Sequence, residues 1–301
     1  MSKSFEDTKW YSYTSSTQTR RTWTRRIESF EKIPNEFQPA FPEYKDQFPY
    51  TLYLPENKFS QSFKRNKTII CLLGDHFVLM EHVRNQIQIA SSKYVDVLYL
   101  ERGRILLYSW LAIATPSGTL TFRFNTTHDE LFAPIIEKIR DGMSATLPAA
   151  VASNGTGNHE PDLAGFDYLR TVNMKYLNYG KRSIRPDDSV ISILYQPERC
   201  IKEVNLFNRN LFRRYSTDHL SILTDQELIL IKEEYKSRTS KNKFYGAVFT
   251  YIPRRQIVSI SFAPDPKNTL CTIEIRLPEN ILLTSEISTT NEELALFRDS
   301  L

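Results

Sequence analysis

The stretch YIPRRQIVSISF, residues 251–262, reads as a β-strand with an unusual start: an aromatic, a proline, two arginines, then alternation. Val258, Ile260 and Phe262 fall on one face of such a strand, and Ser259 and Ser261 on the other. A second stretch, YLERGRILLYSW at residues 99–110, has the same outline of a Tyr, an aliphatic, a polar pair with Arg, then an apolar run opened by Ile. One chain that carries such a pattern twice invites a test for internal duplication.

Three further pairs of segments occur in the same order. LYLPEN from Leu52 matches LYQPER from Leu194, LLGDHFVLMEH from Leu72 matches LTDQELILIKEE from Leu223, and TTHDEL from Thr126 matches TTNEEL from Thr289. Thr127-x-x-Glu130 and Thr290-x-x-Glu293 both have capping-box spacing, in which each end satisfies an otherwise unpaired backbone N–H. Each opens an amphipathic helix, with Leu131, Ile135 and Ile139 on one face of the first and Leu294, Phe297 and Leu301 on one face of the second. The segments before each helix alternate as strands do. Leu120, Phe122 and Phe124 form one such row and Ile273, Ile275 and Leu277 another, with breaks at TPSG, DPKN and PEN. The expected unit is several antiparallel strands followed by one terminal helix.

The order of these motifs in the second copy resembles the bacterial pleckstrin-homology-like (PH-like) domain, related to the GRAM group. The carriers are Leu223-Thr224-Asp225, the strand over 228–231, Ile252-Pro253, Ile257, and the helix from Asn291. The first copy departs from the pattern. Gly74 stands in place of the Thr, Glu101 in place of the Pro, and the span 99–127 is about eleven residues shorter than 251–290. The resemblance implies a mainly β fold of two tandem PH-like, partly open barrels, each closed by a C-terminal helix. The expected organisation is an N-terminal arm over 1–44, a divergent and shorter first domain over 45–144, a linker over 145–165, and a second domain over 166–301 with a helical lead-in. The Ala-, Gly-, Pro- and Asn-rich linker has no apolar period, whereas the lead-in has helical spacing at Tyr168/Leu169, Val172, Tyr176 and Tyr179.

With 41% hydrophobic and 25% charged residues in 301, the composition is that of a globular protein. A net charge of +4 permits an anionic partner without requiring one. Cys71, Cys200 and Cys271 sit beside aliphatic residues and read as reduced, buried thiols. The polar N-terminus lacks the apolar core of a secretory signal and no apolar run reaches bilayer length, so a cytoplasmic protein is expected, with at most peripheral membrane contact. The sequons at Asn66, Asn125 and Asn154 are then chance matches.

Catalytic spacings such as G-x-S-x-G, H-E-x-x-H or a Gly-rich phosphate loop do not occur, and neither a cofactor nor a metal is expected. The cluster Asp75, His76, Glu81 and His82 is the best alternative for a metal-dependent enzyme, but on one strand its two ends stand ~20 Å apart. In PH-type domains a basic loop at the open barrel end binds phosphorylated headgroups. The resemblance therefore places a ligand site at Lys236, Arg238, Lys241 and Lys243, joined by Arg254 and Arg255, with Arg209, Arg213 and Arg214 upstream. The arm offers Arg20, Arg21, Trp23, Arg25 and Arg26 for single-stranded bases or a membrane surface, against an edge-strand role for the same Thr-Trp-Thr alternation. The expectation is a non-enzymatic binding or scaffolding protein that recognises a protein partner or an anionic ligand. Nucleic-acid or membrane-surface binding through the arm and a metal enzyme around His76 are the alternatives.

Overall fold

In the computed structural model the described residues are 23–44, 47–57, 65–105, 108–144, 163–206, 209–233, 246–264, 270–288 and 293–301. In chain order the strands and helices are β1 (Arg25–Ile27), β2 (Tyr50–Leu54), β3 (Thr68–Leu72), β4 (His76–Val83), β5 (Gln86–Lys93), β6 (Tyr99–Ile105), β7 (Tyr108–Thr115), β8 (Gly118–Asn125), α1 (Asp129–Ser144), α2 (Leu169–Val172), α3 (Met174–Ser183), β9 (Val190–Gln196), β10 (Arg199–Leu206), β11 (Arg209–Ser216), β12 (His219–Thr224), β13 (Glu227–Lys232), β14 (Gly246–Pro253), β15 (Ser259–Pro264), β16 (Leu270–Arg276), β17 (Leu282–Ser288) and α4 (Glu293–Ser300). The protein is mainly β. Among the described residues its sheets are open, in the orders β1-β2-β3-β4-β5, β10-β11, β8-β7-β6-β14-β13-β12-β9 and β15-β16-β17, and none closes into a barrel.

The chain forms two compact units. One holds the residues up to Tyr94 together with Phe122–Glu137, and the other holds Val95–Thr121 and Lys138–Leu301. In the first, the five-stranded sheet is a simple meander whose central strand β3 is buried along its whole length. Arg84 and Asn85 join β4 to β5 with positive φ at both residues (49° and 66°), the geometry of a tight hairpin turn matched to strand twist. Ile33, Phe37, Tyr53, Ile69, Val78 and Met80 form its core, and Phe124 stacks on Phe132 at 3.6 Å. In the second unit, Leu223, Leu228, Ile252, Ile273, Ile275 and Phe297 form the core, with Leu294, Leu301, Ile260 and Phe262 packed against it. The alternation read from β15, β16 and α4 therefore points inward as expected, although Val258, just before β15, is left 64% exposed.

The same succession of elements occurs twice. A four-strand array (β2-β3-β4-β5, then β9-β12-β13-β14 with the β10–β11 hairpin inserted after β9) is followed by one 3₁₀ turn, a three-strand meander (β6-β7-β8, then β15-β16-β17) and a helix (α1, then α4). The 3₁₀ turns are Tyr94–Asp96 and Arg254–Gln256. A constant offset of 160 residues relates β5 to β14, the first turn to the second, and the start of β6 to the start of β15.

Two of the four sequence matches occupy equivalent positions, the strand pair β2/β9 and the hairpins β3–β4 and β12–β13, while a third leads into α1 in the first case and lies partly at 289–292, outside the described residues, in the second. The fourth does not. Tyr99 opens β6 in a three-strand meander, whereas Tyr251 lies near the end of β14 in a four-strand array. The structural counterparts are Val97/Ile257 and Leu100/Ile260, whose shared apolar spacing is hidden behind differing polar residues. Measured from the correct counterpart, 99 to 127 against 259 to 290 differs by three residues, so the first copy is not short of a strand.

The compact units also cut across the expected boundaries at 45–144 and 166–301. β6 pairs with β14 from Tyr251↔Leu100 to Gly246↔Ile105, and this ladder carries Val95–Thr121 into the second unit. Helix α1 starts differently from expectation too. Asn125 Oδ1 accepts hydrogen bonds from Thr127 N–H (3.0 Å) and Thr127 Oγ1 (3.0 Å), so Asn125 caps the 3₁₀ turn Thr126–His128 that leads into α1, in place of the cap expected at Thr127. Thr290 lies outside the described residues, as does the linker up to residue 162. In the lead-in, Phe166, Leu169 and Tyr176 are buried, but the extended backbone of Asn173 breaks the helix and leaves Val172 57% exposed.

Candidate functional site

Of the expected anion site only Arg254 and Arg255 lie among the described residues. Lys236, Arg238, Lys241 and Lys243 lie outside the described residues, but their segment starts after β13 and ends where Gly246 opens β14. Arg254 and Arg255 follow the other end of β14. Eight extended residues place the two ends ~23 Å apart. Arg255 is moreover engaged within its own unit. Its Nε donates to the Met143 carbonyl (2.6 Å) and its Nη2 to the Val95 carbonyl, while Gln256 Nε2 donates to the Val97 carbonyl (3.4 Å). Arg255 thus ties the turn after β14 to the end of α1 and the lead into β6. Arg254 is half-buried, and its backbone N–H donates to the Gln226 carbonyl (2.9 Å). Arg209, Arg213 and Arg214 lie on β11.

The described part of the arm is built into a sheet. β1 pairs with β2 (Arg25↔Tyr53, Ile27↔Thr51), and Ile27 is 2% exposed. The Arg25 guanidinium lies 5.0 Å over the Tyr53 ring and that of Arg26 4.9 Å over Tyr50. Trp23 packs on the His128 ring at 5.0 Å. Arg20 and Arg21 lie outside the described residues. At the other candidate, Asp75 and His76 meet at the start of β4 (Nδ1 to Oδ1, 2.8 Å), and that contact holds the Asp75 carboxyl below its usual range. Glu81 accepts from Asn66 Nδ2 (2.8 Å) and His82 packs its ring against Phe37, both near the far end of the strand. Among the described residues no three His, Cys, Asp or Glu side chains converge on a metal-sized point. Burial pushes the Cys71 thiol up to about 11, away from nucleophilic use.

Sequence reading missed a buried ion cluster in the second unit. Glu227 opens β13, is fully buried, and accepts from Arg140 Nη2 and from Arg140 Nε (3.3 Å), with Arg185 Nε 3.8 Å away. Arg140 also donates to the Ser183 carbonyl (2.8 Å) and lies 4.1 Å over Tyr251. Arg185 pairs with the buried Asp188 (2.8 Å) and donates to Ser144 Oγ (3.3 Å). Burial draws the Glu227 carboxyl upward, opposed by the two guanidiniums. The cluster joins α1, the segment after α3 and the β12–β13 hairpin. Its charges are spent on one another, which suits anchorage better than chemistry. A carboxylate two residues after the aspartate of the LTD turn, at the first position of an apolar strand, was the one sequence signal for it.

The sheet edges carry the most information. β14 would be an outer strand of its four-strand array, but β6 covers it. The outer side of β9 is bridged by side chains: Tyr195 N–H donates to Glu293 Oε2 (3.2 Å), and Gln196 Oε1 accepts from Ser288 N–H (2.8 Å). By contrast, among the described residues β5 pairs only with β4, and β15 only with β16. Their sequences, QIQIASSK and SISFAP, contain a single charge, Lys93. Protein edges are usually protected by lysines, bulges or covering segments, and β5 has eight paired residues without a bulge. Ile89 on it is 55% exposed.

No protein family and no curated protein matches the chain. No helix among the described residues is long and apolar enough to cross a membrane.

Proposed function

We propose that this is a non-enzymatic binding or scaffolding protein made of two tandem PH-like copies, and that it engages a protein partner by strand addition at a sheet edge. The twofold succession of four strands, a turn, three strands and a helix supports the PH-like reading. The observation that carries the binding mode is the edge of β5: long, regular, nearly uncharged and paired on one side. Strand addition draws affinity from main-chain hydrogen bonds and specificity from alternate side chains, and it needs no cofactor. The engagement of Arg255 with the Met143 and Val95 carbonyls weighs against its part in a headgroup site.

A displayed peptide library tests this. Selected peptides are expected to show extended alternation and to lose binding to an Ile89→Pro variant, which removes an N–H on the open side of β5. Selected peptides indifferent to that change would overturn the reading. Binding to phosphatidylserine-containing vesicles at low salt, abolished by Arg254→Glu, would favour a headgroup ligand instead.

A further inference from the structure

The β6·β14 ladder joins the three-strand meander of the first copy to the four-strand array of the second. Within one chain that joint is made once. The two strands that would make it again are the counterparts at the 160-residue offset: β5, equivalent to β14, and β15, equivalent to β6. Among the described residues each of these two strands has a neighbouring strand on one side only. We infer that the partner of the β5 edge is the β15 edge of a second copy of this chain, so that molecules add head to tail.

The register follows from the joint that exists. Thr250↔Glu101 becomes Ala90 opposite Ser261, Tyr251↔Leu100 becomes Ser91 opposite Ile260, and Ala247↔Arg104 becomes Ile87 opposite Pro264. No acidic or basic residue opposes another in this alignment, and Pro264 falls at its end, where its missing N–H interrupts no interior rung. Two different surfaces meet, so the contact is heterologous. It leaves a free β5 at one end and a free β15 at the other, and growth continues until a ring closes or a filament forms.

This inference rests on the edge-scaffold reading and names its occupant. Light scattering coupled to size-exclusion chromatography is the assay, run over a concentration series with the full chain. The parent is expected to grow with concentration through multiples of the 35.2 kDa protomer. Ala90→Lys blocks one edge and Ser261→Lys the other, so each variant alone is expected to stay monomeric. Mixed one to one they should form a dimer and stop, because the single remaining joint uses the intact β5 of one and the intact β15 of the other. A parent that stays monomeric at every concentration overturns the inference, as do single variants that associate like the parent or a mixture that forms no dimer. Circular dichroism checks that each variant is folded. If a variant is not folded, Gln88→Cys combined with Ala263→Cys provides the second test. Oxidation should yield a ladder of linked chains, and a product without such a ladder counts against the register. A monomeric parent that still binds edge-directed peptides would sink this inference and leave the edge-scaffold reading standing.

Discussion

Replacing Arg140 by Leu removes the main partner of a carboxylate that has no contact with water. Glu227 is fully buried and takes two hydrogen bonds from Arg140, while Arg185 stands 3.8 Å off and is shared with Asp188. Stranding a buried charge in this way costs about 3–5 kcal/mol. The lost stacking on Tyr251 and the lost bond to the Ser183 carbonyl lie within that range rather than adding to it, because measured values for removing one partner already include such contacts. The double variant Arg140→Leu/Glu227→Leu removes both charges and should recover most of the loss, since apolar replacement of a buried pair is often neutral or better. Guanidinium unfolding followed by far-ultraviolet circular dichroism reads both values from the midpoints. The reasoning is refuted if Arg140→Leu costs under about 1 kcal/mol, the scale of an exposed pair, or if the double variant costs the sum of the singles.

Burial lowers the pKa of His219 to about 4, so the unfolded chain binds a proton there first as pH falls. Stability should therefore decline between about pH 6.5 and 4 by about 3 kcal/mol and then level off, and a His219→Leu variant should lack this component in a pH series of unfolding curves. Asn125→Ala should cost about 1 kcal/mol by removing the cap of the 3₁₀ turn that leads into α1, measured by the same unfolding assay. Arg255→Ala should destabilise by about 1–3 kcal/mol through its two lost bonds to carbonyl oxygens, and Arg255→Lys should restore little because an ammonium cannot span both acceptors.

Sequence by itself was enough for what is encoded within a few residues. The period-2 rows in β8 and β16, the apolar face of α4 and the breaks at TPSG and PEN read correctly, because side-chain direction along a strand or helix depends only on local geometry, while DPKN lies outside the described residues. The repeated pattern was legible for the same reason, since the matches at β2/β9 and at the β3–β4 and β12–β13 hairpins lie in local strand and turn chemistry. Alignment of the fourth failed because Tyr99 and Tyr251 share a residue pattern while sitting in different strands, and nothing local marks which array a strand belongs to. Only the tertiary structure decided that β6 lies beside β14, a choice between equally apolar strands made by pairing more than a hundred residues apart. The ion cluster was hidden in the same way. Arg140 and Glu227 are 87 residues apart, and each alone reads as an ordinary surface charge. What covers an edge, or leaves it open, is likewise a property of the neighbours that folding brings, which is why β5 and β14 can occupy equivalent places and yet β14 is paired on both sides and β5, among the described residues, on one.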